Sequence, residues 1–100
     1  IGKIQAAGSR VVLCTPSVIG EKKPGTNKLD DKLDEYAAIS RRVAKEMNVE
    51  LCDLRKAFQD HLMKNNPNDR DRGILTLDRA HLNDVGNRLV AETILETINR

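Results

Sequence analysis

Leu75-Thr76-Leu77-Asp78-Arg79-Ala80-His81-Leu82-Asn83-Asp84-Val85-Gly86-Asn87 sets an aspartate and a histidine three residues apart, just ahead of an amphipathic stretch. An apolar run, Ile74, Leu75 and Leu77, predicts an extended segment that delivers Asp78. At that spacing on a turn, a carboxylate can accept a hydrogen bond from the Nδ1–H of the imidazole. The bond fixes the tautomer and leaves Nε2 free as a base. Asp78 and His81 so placed would be two members of a nucleophile–base–orienter arrangement, whose third has to come from elsewhere.

Downstream, the spacing predicts a helix over about Asp84 to Asn99. Asn83 is its N-cap, Asp84 lies in its first turn, and Leu89, Val90, Ile94 and Ile98 form its packing face. Upstream, Asn65 to Gly73 reads as a loop from its Asn, Asp, Pro and Gly content. The Asp69–Arg72 charges read as solvated, since a metal or phosphate site would need further ligands. Leu54, Phe58 and Leu62 line up along a helix of about Leu54 to Lys64.

Val49 to Asp53 alternates apolar and polar residues, which predicts a short strand wetted on one side, near a sheet edge. Leu29, Leu33, Tyr36, Ala37, Val43, Ala44 and Met47 mark a helix from Leu29 to Met47. It is acidic at its start and basic at its end, and Asn48 stops it. Ser17 to Lys28, with Gly20, Pro24 and Gly25, predicts a surface loop long enough to be functional. Arg10 to Thr15 is a continuous apolar, β-branched run, as expected for a strand buried on both faces of a parallel sheet. Ile1, Ile4 and Ala7 or Gly8 fit the end of a further helix, so the chain is expected to begin inside an element.

This order predicts a parallel α/β sheet with right-handed crossovers. Two strands are too few to bury a run such as Val11 to Cys14 on both faces, so neighbouring strands are expected from elsewhere.

One hundred residues suit one domain at most. A net charge of +2, with 32% charged residues of both signs, describes a solvated surface. It does not describe a nucleic-acid-binding one. Tyr36 and Phe58 are the only aromatic residues, too few for a base-stacking platform. No apolar run reaches membrane-spanning length, and no leader is recognisable. Cys14 and Cys52 match no zinc or redox motif and read as two buried free thiols, with a disulfide open if their strands are neighbours.

On spacing alone, Asp78 reads as a turn cap and His81 as a half-buried structural histidine. The Leu-Asn-x-x-Gly block and the helix that follow shift the reading to catalysis. Asp53 and His61 form a competing pair, but His61 lies beside Phe58 and Leu62 and reads as a packed or surface residue. Ser17 follows a strand end, yet Pro16 precedes it and no glycine-flanked elbow surrounds it. Ser9 and Ser40 have weaker claims still.

Leu77-Asp78-Arg79-Ala80-His81-Leu82-Asn83-Asp84-Val85-Gly86-Asn87, with the strand, long loop and helix upstream, resembles the last block of the SGNH (GDSL-type) hydrolases. The resemblance covers residues 1–100 as the C-terminal portion of a single domain about twice this length. It implies a partial flavodoxin-like three-layer α/β/α sandwich, with two clear parallel strands and their helices in this half. It also implies ester or acyl hydrolysis by a Ser-His-Asp triad, without a cofactor or metal. Asp78 would orient and His81 would act as the base. The substrate would be a small acyl or acetyl ester.

The family's Gly-Asp-Ser nucleophile motif and its Gly-x-Asn-Asp oxyanion motif are absent from this sequence. The chain alone is therefore expected to be inactive, with a missing N-terminal half or a second copy of itself as its partner. A non-catalytic assembly module forming an element-exchanged dimer is the competing reading. A nucleotide-binding domain is a third, disfavoured because no glycine-rich strand-to-helix turn is present.

Overall fold

The computed structural model describes residues 10–99, so the helix end expected over Ile1 to Gly8 lies outside the described residues, as does Ser9. The elements run β1 (Val12–Cys14), α1 (Asp30–Met47), β2 (Glu50–Cys52), α2 (Leu54–Asn65) and α3 (Asp84–Ile98). Among the described residues, β1 and β2 form a two-stranded parallel sheet with Val12 opposite Glu50, Leu13 opposite Leu51 and Cys14 opposite Cys52. This is a partial α/β fold with parallel strands, as the alternation of elements predicts.

α1 connects the two strands and packs against both. Asp30 and Asp31 sit where its dipole favours anions, and Lys45 where it favours a cation. Leu33, Ala37 and Ala44 are its buried stripe, while Tyr36 and Met47, expected on that face, are exposed. Asn48 ends the helix in the left-handed region, its N–H reaching the carbonyls of Ala44 and Lys45.

Thr15, buried just beyond β1, joins the strand ends to α2. Its hydroxyl donates to Asp53 Oδ1 (2.9 Å) and accepts from the N–H of Arg55 (3.0 Å). The Arg55 side chain is itself buried, donating to Asp34 Oδ1 (2.6 Å), the Ser17 carbonyl (2.8 Å) and Asp30 Oδ1 (3.1 Å). Burial pushes the Asp30 carboxyl up, but hydrogen bonds from Asn27, Arg55 and Gly25 outweigh it and hold the group below its ordinary range.

Two expectations for β1 need correction. Val12 and Leu13 are only half-buried and Cys14 is exposed, because β2 is the strand's single neighbour among the described residues. Cys14 and Cys52 are free thiols, but only Cys52 is buried. Burial and the adjacent Cys52 raise the Cys14 thiol.

The core cluster lies between α2, α3 and the loops rather than under α1. It consists of Val18, Phe58, Leu62 and Leu75, with Ile74, Leu82, Leu89 and Val90 against it. On α3, Leu89 and Val90 pack as expected and Ile94 is half-buried. Ile98 is exposed, and Thr97 takes the buried place with its hydroxyl bonded to the Thr93 carbonyl. Among the described residues no helix is long and apolar enough to cross a membrane.

Candidate active site

Two loops build the site, 17–28 after β1 and 66–82 between α2 and α3. Asn66 closes the first turn of the second loop, accepting from the Arg70 N–H (3.0 Å) and donating to the carbonyls of Arg70 (2.8 Å) and Glu21 (2.7 Å). Asp69 adopts a positive φ of 52° and accepts from the Lys23 N–H (2.8 Å). The Asp69–Arg72 stretch is therefore more than a solvated cluster, because Asp69 latches one loop to the other. Asp71 pairs with its neighbour Arg72 (3.0 Å), which holds its carboxyl below the ordinary range.

The 17–28 loop is likewise not simply a surface loop. Val18 and Glu21 are buried, the latter 1% exposed. The Glu21 side chain accepts from the N–H groups of Leu75 (2.6 Å) and Ile74 (3.3 Å) and from the Thr76 hydroxyl (2.6 Å). Sequence reasoning missed this residue. A lone glutamate in a Gly- and Lys-rich loop carries no local sign that its partners lie more than fifty positions away.

Beyond Thr76 the chain makes a narrow turn, bridged in antiparallel fashion between Thr76 and Leu82 and by the Leu77 N–H to the His81 carbonyl (2.8 Å). Arg79, at its tip, has φ +83° and offers its carbonyl to the Gly20 N–H (2.8 Å). Leu77 is 68% exposed, so the apolar run that delivers Asp78 buries Leu75 but not Leu77.

Asp78 and His81 meet in this turn. Nδ1 of His81 lies 2.7 Å from Asp78 Oδ2, while Asp78 Oδ1 accepts from the backbone N–H of His81 (2.7 Å) and of Ala80 (3.1 Å). The bond from the His81 N–H, then those from the His81 ring and the Ala80 N–H, hold the Asp78 carboxyl at about 2. An ionised carboxylate only accepts, so Nδ1 donates in this contact and Nε2 is left outside it. The His81 side chain is 81% exposed, and Nε2 makes no hydrogen bond among the described residues. Asp78 caps its own turn and orients the imidazole with the same carboxyl group, and His81 is not half-buried.

Asn83, as expected, caps α3 by accepting from the Gly86 N–H (2.9 Å). Its own N–H reaches the Leu75 carbonyl (2.9 Å) and its Nδ2 the Ile74 carbonyl (3.2 Å). The helix start packs so closely here that a Cβ on Gly86 would overlap the Leu75 carbonyl.

The competing candidates stay apart. Asp53 caps α2 and is occupied by Thr15, Lys56 and Arg41, the last through two bonds of 2.9 and 3.0 Å, with none to His61. His61 is half-buried on α2 and offers its carbonyl to Asn65. Ser17 serves Arg55 through its carbonyl, and Ser40 lies half-buried in α1. Among the described residues, no three His, Cys, Asp or Glu side chains are placed to hold a metal.

A groove of about 310 Å³ runs between the loops, walled by Ile19, Gly20, Lys22, Lys28, Asp71 and Arg79, so it adjoins the turn that carries the dyad. Neither this groove nor a larger one of about 410 Å³, lined by Pro24, Leu62, Met63 and Pro67 among others, has Asp78 or His81 on its wall. The geometry of the pair, not cavity size, makes this turn the candidate site.

Residues 1–89 match the GDSL-like lipase/acylhydrolase family. The structure is similar to the crystal structure of an acetyl xylan esterase, AlAXEase, with a TM-score of 0.93 and 46% sequence identity. The match covers 97% of this chain and 49% of that one, so this chain spans about half the length of the esterase it resembles. No curated protein matches it.

Proposed function

The chain belongs to the GDSL-like lipase/acylhydrolase family, and on that premise we propose that it supplies the acid and base of a Ser-His-Asp triad in a carboxylic ester hydrolase. Residues 1–100 are then the C-terminal portion of one SGNH-type domain. The serine and the oxyanion donors come from a segment outside these residues. The substrate class is a small acyl or acetyl ester. That the solved relative is an acetyl xylan esterase favours the acetyl ester of a sugar.

In this mechanism Nε2 of His81 takes the serine proton as the hydroxyl attacks the ester carbonyl. His81 then returns the proton to the leaving alcohol. Asp78 stays ionised and stabilises the imidazolium formed in between. Donors aimed at the oxyanion would each contribute about 3 kcal/mol to the transition state. The 100 residues alone carry no Gly-Asp-Ser and are expected to be inactive.

The observation that carries this reading is the 2.7 Å Nδ1–Oδ2 contact beneath an exposed imidazole. In the complete esterase, His81→Ala is expected to lower kcat by roughly four to six orders of magnitude while the fold persists. Near-normal hydrolysis of an acetyl ester by that variant would end the proposal. A fluorophosphonate probe should leave the isolated chain unlabelled. A stoichiometric adduct would reveal a nucleophile within it.

A further inference from the structure

The Glu21 side chain plays no part in the proton transfers above, yet it is buried and all of its hydrogen bonds go to the segment that leads into Asp78. We propose that Glu21 is a positioning residue for the Asp78–His81 dyad, acting through Thr76. This rests on the catalytic reading of the dyad.

Thr76 is the relay. Its hydroxyl donates to Glu21 Oε2 (2.6 Å), which directs a lone pair toward the N–H of Arg79 (3.1 Å). Gly20, next to Glu21, donates its N–H to the Arg79 carbonyl (2.8 Å), so the residue after Asp78 is held from both its N–H and its carbonyl. The Glu21 backbone is anchored in turn, its N–H to the Asp71 carbonyl (3.1 Å) and its carbonyl to Asn66 Nδ2 (2.7 Å).

Thr76 and Arg79, on either side of Leu77-Asp78, thus take their places from one buried carboxylate and its neighbour, while the dyad itself stands largely in solvent. A displacement of about 1 Å at a catalytic base costs about 100-fold in rate, so a device that fixes the turn has consequences for turnover.

A purely architectural glutamate would fill the same space, and the chemistry of an amide replacement separates the two roles. Both oxygens of Glu21 face backbone donors, Leu75 N–H at one and Ile74 N–H at the other. Glu21→Gln therefore sets an NH2 group against an N–H in either orientation, at almost unchanged volume.

The test uses the complete esterase with Glu21→Gln, Thr76→Val and Thr76→Ser. The first two are expected to lower kcat about 10- to 100-fold with KM within about twofold of the parent. Thr76→Ser, which keeps the hydroxyl, is expected to restore most of the rate. Carbon-13 carboxyl titration of Asp78 should move up from about 2 toward the ordinary value of about 3.9. The double variant should be no slower than Glu21→Gln, as members of one relay require.

If melting temperature falls while kcat per folded molecule and the Asp78 titration stay at parental values, the positioning role is refuted. Should Glu21→Gln fail to fold, Thr76→Val decides on the same two readouts. The Asp78 titration reports on Glu21 whether or not esters are turned over. Failure of the esterase reading therefore remains distinguishable from failure of this one.

Discussion

Asp78 uses one oxygen to close its own turn and the other to orient His81. Both halves of the arrangement are local, which is why an Asp-x-x-His spacing could announce it. In the complete esterase, Asp78→Asn should leave the turn closed but favour the wrong imidazole tautomer, lowering kcat about 10⁴-fold. A pH–rate profile together with kcat checks this. Stability in acid, as distinct from the rate profile, follows from the carboxyl held at about 2. Because its folded value is depressed, the stabilisation from its hydrogen bonds is fully present above pH of about 4 and is lost as pH falls through about 2. Carboxyl titration by carbon-13 NMR should find that midpoint, and one near 4 would contradict the geometry. Glu21 and Arg55 are the counterexamples to legibility. Each is a charged residue that composition assigns to the surface, yet each is 1% exposed, satisfied by partners distant in sequence.

At the scale of the elements, the three helices follow from apolar spacing and cap chemistry, each with one boundary displaced by a single residue. The departures have a common cause. Tyr36, Leu77 and Ile98 are apolar residues whose period or context points inward, but the described residues leave them exposed. Asn83→Ala is expected to destabilise the protein by about 1 kcal/mol through loss of the cap, read as a shift in the urea midpoint. Gly86→Ala should cost more than the helix propensity of alanine returns, because its Cβ meets the Leu75 carbonyl. Arg55→Ala strands the buried carboxylate of Asp30 and is expected to cost about 3–5 kcal/mol, measurable by the same titration. A loss below 1 kcal/mol would mean that the 3.1 Å pair is not formed.

In the molecule as a whole, the feature that stands out is a β1 strand with one neighbour among the described residues. Val12 and Leu13, apolar and only half-buried, border an edge with no strand beside it among the described residues. Such an edge recruits another strand. The isolated chain is therefore expected to self-associate, or to bind the segment carrying the nucleophile. Sedimentation as a compact monomer at high dilution would contradict this. Self-association without any gain of esterase activity on adding that segment would instead favour an assembly module.

The amino-acid sequence by itself determined whatever depends on neighbours along the chain. That covers the order of strands and helices, the caps at Asn48 and Asn83, and the pairing of Asp78 with His81, since each is decided within a turn or two of backbone. Tertiary structure alone decided that the 17–28 loop grips the 66–82 loop through Glu21, Lys23 and Asn66, and that Cys14 lies beside Cys52. It also decided that the imidazole stands exposed and that Arg79, in the same turn, lines a groove between the loops. Those outcomes rest on hydrogen bonds and burial between residues brought together only when the chain folds back on itself, and no local pattern encodes them.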